Sequence, residues 1–227
     1  MTASQINWTV ADKTVTLFPA KQANRPIVIL NNFSGNGESV VEAMQTIGCG
    51  DCNLLSVGNL SWDHDMSPWY APPLSASDSP GTGGADDYLQ VLLNDILPAA
   101  EEKSAGSAPF VGIAGYSLAG LFALYAMYRT DRFGRVASMS GSLWFPDFLT
   151  YAQTHALCRT PDRLYLSLGD REAKTKNPLL KTVQDHTEAL AAHYQAMGMN
   201  VHYELNPGNH FRDAALRSAK GIAALLD

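Results

Sequence analysis

Residues 110–127 read Phe110-Val-Gly-Ile-Ala-Gly-Tyr-Ser-Leu-Ala-Gly-Leu-Phe-Ala-Leu-Tyr-Ala-Met127. Phe110 to Ala114 is a short apolar run with the length of a buried parallel strand. Leu118 to Tyr128 is rich in Ala, Leu and Met and contains no proline, which predicts a buried helix. The chain therefore passes from strand to helix at Ser117, and a switch that abrupt strains the backbone at the residue that makes it. The strand end and the helix start nearly touch there, so the neighbours must be small. Gly115 and Ala119 lie two residues either side of Ser117, with Gly120 behind them. The expected result is a hydroxyl held at a sharp tip, the first N–H groups of a helix beside it. The bland alternative is a serine that merely caps the helix.

Outward from this stretch, apolar runs and helical patterns alternate. Ile6 to Phe18 alternates loosely, as an edge strand or hairpin does. Ile27-Val28-Ile29-Leu30 is a central strand, followed by the polar loop Asn31 to Gly37. A helix over 38–47 and a strand over 53–57 come next. Residues 58–84 read as one long loop, with four prolines and four glycines, and long loops in compact domains usually carry function. Residues 85–103 form an amphipathic helix. Beyond the elbow come strands over 135–139, 163–168 and 201–205 and helices over about 147–155, 179–197 and 213–226, the last capped by Asp213. Such alternation predicts one α/β domain over 1–227, with a mostly parallel sheet and helices on both faces. Ligands in such sheets bind beyond the carboxyl ends of the strands. Asn31 to Ser34, Ser117, Ser142 to Trp144, Asp170 to Glu172 and His210 are therefore expected to converge.

The chain has 227 residues and a formal charge of −6. No Lys/Arg cluster breaks this acidic balance, which disfavours nucleic acid and anionic membranes as partners. No stretch is long enough to span a bilayer, and no basic-then-apolar leader opens the sequence. Three cysteines, Cys49, Cys52 and Cys158, form an odd, low count that suits reduced thiols and a cytoplasmic home. Cys49-Gly-Asp-Cys52 precedes a strand, where a redox motif would follow one. Gly35-x-Gly37 lacks the third glycine and the later acid of a dinucleotide site. No metal and no cofactor is implied.

A serine hydroxyl needs a base, and the base needs an orienting acid. Of six histidines, five lie after the serine; His155, His186 and His193 fall in helices and His202 within a strand. His210 alone stands in a turn after a strand end, which makes it the base. For the acid, Glu172 is preferred over Asp170, both following the 163–168 strand, with Asp147 in reserve. The oxyanion formed by attack on a carbonyl needs preorganised donors: the N–H of Leu118 and that of Phe33, with Ser34 as the alternative.

Gly-Tyr-Ser-Leu-Ala-Gly, Ser-Gly-Ser-Leu-Trp, Leu-Gly-Asp-Arg-Glu and Gly-Asn-His, in this order, resemble the esterase family of the α/β-hydrolases that includes esterase D, feruloyl esterases and siderophore esterases. The resemblance covers roughly residues 25–227. It implies an α/β-hydrolase fold without a large lid domain, and a triad of Ser117, His210 and a carboxylate. It also implies Trp144 beside the acyl or alcohol site and a small-molecule ester, a siderophore or a small acyl ester, as substrate. The chain departs from many relatives in having Asn31-Asn32 where they have His-Gly. Trp62, Asp65 and Trp69 of the long loop are expected to form one wall, with Trp69 and Ser34 among the substrate-binding residues.

Overall fold

The computed structural model describes residues 4–227; Met1 to Ala3, which open the leader reading, lie outside the described residues. Strands β1 (Ile6–Val10) and β2 (Lys13–Phe18) form the expected hairpin. β3 (Ile27–Asn31), helix α1 (Glu38–Thr46) and β4 (Asn53–Gly58) follow. The long loop is not featureless. It contains one helical turn, α2 (Trp62–Asp65), and a two-stranded ribbon of β5 (Tyr70–Ala71) and β6 (Gly81–Thr82). Asp65 is buried and ties this excursion to β2 through Lys13 Nζ at 2.5 Å, while accepting the Ser61 N–H at 2.8 Å.

The amphipathic helix begins as α3 (Ala85–Val91), widens to a π-turn over Leu92–Ile96 and continues as α4 (Leu97–Lys103). Pro98 has no N–H to return to the preceding turn, so the helical ladder slips there. Then come β7 (Val111–Tyr116), α5 (Leu118–Ala126), β8 (Arg135–Met139), α6 (Phe148–Thr154), β9 (Arg163–Gly169), α7 (Val183–Ala196), β10 (Val201–Asn206) and α8 (Ala214–Leu226). The eight longer strands make one sheet in the order β1-β2-β4-β3-β7-β8-β9-β10. β2 runs antiparallel to both its neighbours; every pairing from β4 through β10 is parallel.

Alternation along the strands builds two apolar layers. Ile27, Ile29, Ile113, Val136, Leu164 and Leu166 face one side, against Leu89, Phe122, Leu190 and the rest of helices α3 to α7. Val28, Leu30, Ala114, Ala137 and Tyr165 face the other, covered by α1 and α8 through Val40, Met44, Ala219, Ile222 and Leu225. The strands from β4 to β9 in sheet order are thus sandwiched, which is why they are mostly apolar, whereas β10 at the sheet edge stays partly exposed. Register then aligns their ends: Asn31 sits opposite Gly115, Tyr116 opposite Met139, and Gly169 opposite Asn206. The polar residues just past those positions emerge along one edge of the sheet.

Asp213 does stand at the N-cap of α8, but it takes a left-handed conformation, φ 55°, and its side chain caps nothing. Its carboxylate accepts instead from Arg212 Nε at 3.3 Å, because side-chain capping needs the extended backbone that this residue lacks. Among the described residues, no helix is long and apolar enough to cross a membrane.

Candidate active site

Ser117 joins β7 to α5 with φ 60° and ψ −125°, a region that non-glycine residues occupy only when their surroundings force it. Those surroundings are visible. The Ser117 N–H is held by the Met139 carbonyl at 3.1 Å, and the Ser117 carbonyl accepts from Gly120, Leu121 and Ser142. A side chain at position 115 would place its Cβ 2.1 Å from the Ala119 carbonyl oxygen, so only glycine lets strand and helix approach this closely.

The Ser117 hydroxyl lies 3.0 Å from His210 Nε2, and His210 Nδ1 lies 2.7 Å from Glu172 Oε2. This geometry has Nδ1–H donating to the carboxylate, which leaves the Nε2 lone pair for the serine proton. Glu172 comes from the loop after β9 and His210 from the turn after β10, adjacent strand ends. Asp170 points elsewhere and accepts the Gly208 N–H at 2.7 Å, bracing the turn that carries the histidine. Asp147 occupies the left-handed N-cap of α6. Of the other histidines, His186 Nδ1 binds the Leu143 carbonyl, while His155 and His202 stack on Tyr151 and Tyr165.

The Glu172 side chain is only 4 % exposed. Burial by itself pushes its carboxyl up. The hydrogen bond and charge of His210, the Ser140 hydroxyl and the Gly169 N–H outweigh that and hold it below the ordinary value.

The loop after β3 is pinned at its start. Tyr88 donates its hydroxyl to Asn31 Oδ1, Asn32 Nδ2 donates to the Ser56 hydroxyl, and the Asn32 N–H goes to the Val57 carbonyl at 2.8 Å. The two asparagines that replace the expected His-Gly thus anchor this loop to the sheet. The N–H groups of Phe33 and Leu118, the first of α5, have no acceptor among the described residues.

Three cavities meet at Ser117. One of about 380 Å³ lies between Asn32, Phe33, Ser34, Trp62, His210 and Phe211. A second of about 390 Å³ is walled by Phe33, Trp62, Asp63, Asp78, Leu118 and Trp144. A third of about 220 Å³ reaches Ser142, Trp144, Glu172 and Leu180. Phe33 is 73 % exposed and stands edge-on to Trp62, 5.2 Å between ring centroids.

Ser34 and Trp144 line these cavities, whereas Trp69 lines none of the three. Its ring packs on Tyr125, Phe145, Phe148 and Tyr151, and its Nε1–H donates to the Pro146 carbonyl at 3.0 Å. Trp69 fastens the long loop to the body, and Trp62 supplies the wall. Asp65, spent on Lys13, is not part of that wall.

Sequence reasoning brought Ser142 to this edge without a role and missed two further neighbours, Tyr116 and Arg217. Ser142 is 2 % exposed, and its hydroxyl lies 3.4 Å from that of Ser117. Tyr116 donates its hydroxyl to the His210 carbonyl at 2.6 Å. Arg217, in α8, is 2 % exposed and donates to Glu172 Oε1 at 3.0 Å. The signal for Arg217 was available: it stands on the apolar stripe of α8 with Ser218, Gly221, Ile222 and Leu225, where a charge needs a buried partner.

The fold and this constellation define an α/β-hydrolase with a serine–histidine–glutamate arrangement at the carboxyl edge of its sheet. The family model described as Putative esterase matches residues 57–215, and the chain belongs to that esterase family. A curated relative, the uncharacterized protein YbbA of Bacillus subtilis (strain 168), is 28 % identical over 129 residues, 56 % of this chain and 52 % of that protein. The match thus spans about half the length of that relative.

Similar folds include the siderophore hydrolase EstA from Aspergillus nidulans, with a TM-score of 0.72 and 20 % identity over 96 % of this chain and 92 % of that one. An IroE-like serine hydrolase from Shewanella oneidensis has a TM-score of 0.76 at 17 % identity, over 94 % and 75 % of the two chains. The enterobactin esterase FES from Shigella flexneri has a TM-score of 0.72 at 20 % identity, over 99 % and 58 %.

Proposed function

We propose that the protein is a serine esterase that cleaves small carboxylic esters through an acyl-enzyme, the chain acting as one hydrolase domain. The observation that carries this reading is the unbroken line from Ser117 Oγ through the His210 ring to Glu172, at 3.0 and 2.7 Å. His210 takes the Ser117 proton as the oxygen attacks the ester carbonyl. The carbonyl oxygen becomes an oxyanion facing the N–H groups of Leu118 and Phe33. Collapse expels the alcohol, which receives its proton from the imidazolium. Water then repeats the sequence on the acyl-serine and regenerates the hydroxyl. Glu172 stays ionised throughout and stabilises the imidazolium.

Substrate sits between the aromatic walls of Phe33, Trp62 and Trp144. Trp144 and Ser34 contact the acyl or alcohol part. The likeness to the enterobactin esterase makes aromatic siderophore esters a first panel beside simple acyl esters, with thioesters as the comparison that tests the leaving atom.

The test is hydrolysis of p-nitrophenyl butyrate. Ser117→Ala should lose activity by about 10³-fold or more, and a fluorophosphonate should label the wild type once per chain and the variant not at all. Equal rates for both proteins would remove Ser117 as nucleophile.

A further inference from the structure

We propose that Arg217 is a positioning residue for this triad, its guanidinium locking together the separate chain segments that carry Ser117, Glu172 and His210. The inference rests on the esterase reading above. It concerns a side chain just beyond the segment matched by the family, residues 57–215.

A guanidinium 2 % exposed has no water to stabilise it, and a buried charge is tolerated only when paired and fully hydrogen-bonded. Arg217 is paired with Glu172, and its two terminal nitrogens reach four chain segments. Nη1 donates to Glu172 Oε1 at 3.0 Å, to the Ser140 hydroxyl at 3.1 Å and to the Tyr116 hydroxyl at 3.3 Å. Nη2 donates to the Pro207 carbonyl at 3.0 Å. Tyr116 immediately precedes the nucleophile, and Pro207 opens the turn that ends at His210. Tyr116 closes the loop by donating to the His210 carbonyl.

The partition at the carboxylate is informative. Oε1 receives Arg217, Ser140 and the Gly169 N–H, whereas Oε2 receives His210. With Oε1 held by three donors, the carboxylate cannot rotate, and Oε2 stays aimed at the imidazole. Gly169 is part of the same device: a Cβ there would fall 2.9 Å from both Arg217 Nη1 and Glu172 Oε1. Lysine could supply the charge, but not the planar fork that spans a carboxylate and a carbonyl at once.

The experiment measures kcat and KM for p-nitrophenyl butyrate in Arg217→Met, Arg217→Lys and Tyr116→Phe, each also combined with Glu172→Gln. Arg217→Met should lower kcat by about 10²-fold, the scale of an ångström's misplacement of reacting groups, with KM nearly unchanged. Arg217→Lys should recover part of that loss. In the Glu172→Gln background the same Arg217→Met change should cost at least about tenfold less, because residues acting through one another are not additive.

An equal factor in both backgrounds would make Arg217 general packing, as would a kcat within about threefold of wild type. If Arg217→Met does not fold, Tyr116→Phe carries the test. It should lower kcat several-fold at constant KM, and an unchanged kcat overturns the proposal. A wild type inert to ester and to fluorophosphonate removes the esterase reading and this inference together. An active wild type with an unaffected Arg217→Met removes this inference alone.

Discussion

At the scale of the residue, the two carboxylates after β9 separate by reach. Glu172 folds back toward Gly169 with its side chain buried; Asp170 is exposed and spent on the backbone of the histidine turn. Glu172→Gln should lower kcat by about 10²–10⁴-fold while the fold persists, since the imidazole loses its orienting anion. Asp170→Asn should cost only about 1 kcal/mol of stability, the scale of one hydrogen bond, and little kcat. Kinetics and thermal melts on the two variants separate these outcomes.

Glu172 also sets a sign for acid stability. Its carboxyl titrates lower folded than unfolded, so its contribution is fully present above the ordinary value of 4.5 and is lost as pH falls through the lower folded value. A melt series across that window should fall more steeply for wild type than for Glu172→Gln. Parallel curves would show that this carboxylate does not drive acid unfolding. The thiols behave oppositely: burial pushes Cys49 up to about 11 and Cys52 higher still, which keeps the reactive thiolate scarce at neutral pH.

At the scale of the element, the elbow works because β7 and α5 collide unless position 115 carries no side chain. Gly115→Ala puts a methyl 2.1 Å from the Ala119 carbonyl, so the strand-to-helix junction must open. The expected loss is about 3 kcal/mol or more, combining overpacking with strain, and fluorophosphonate labelling should fall with it. The long excursion between β4 and α3 divides its tryptophans by task. Trp69→Ala should destabilise by about 2–4 kcal/mol, as truncating a largely buried aromatic does, without a specific change in KM. Trp62→Ala should raise KM for aromatic esters with little change in melting temperature. Reversed effects would restore Trp69 to the substrate wall.

At the scale of the molecule, the formal charge of −6 acts together with Asp63 and Asp78 beside the cavity. Burial first, and then the charge of Asp78, raise the Asp63 carboxyl above its ordinary value. An ester bearing a carboxylate should therefore show a lower kcat/KM than its neutral isostere, and added salt should narrow the gap. A gap indifferent to salt would assign the discrimination to shape.

The strand and helix order, the elbow at Ser117 and the serine–histidine pairing were legible along the chain. Each depends on local periodicity, on steric need at one bend, or on the position of a turn relative to a strand. The long-range contacts were not. Nothing near residue 69 says that its ring will meet Tyr151, and nothing near residue 217 says that its charge will end beside Glu172. Those outcomes depend on how α8 covers the sheet and how the long loop folds onto α5 and α6, and the pattern of apolar residues specifies a face without specifying which neighbour that face will meet. Sequence alone thus determined the architecture and put Ser117 and His210 at one edge of the sheet. Only tertiary packing decided which carboxylate turns inward, which tryptophan lines the cavities beside Ser117, and which buried cation pairs with Glu172, because each is settled by contacts between segments far apart along the chain.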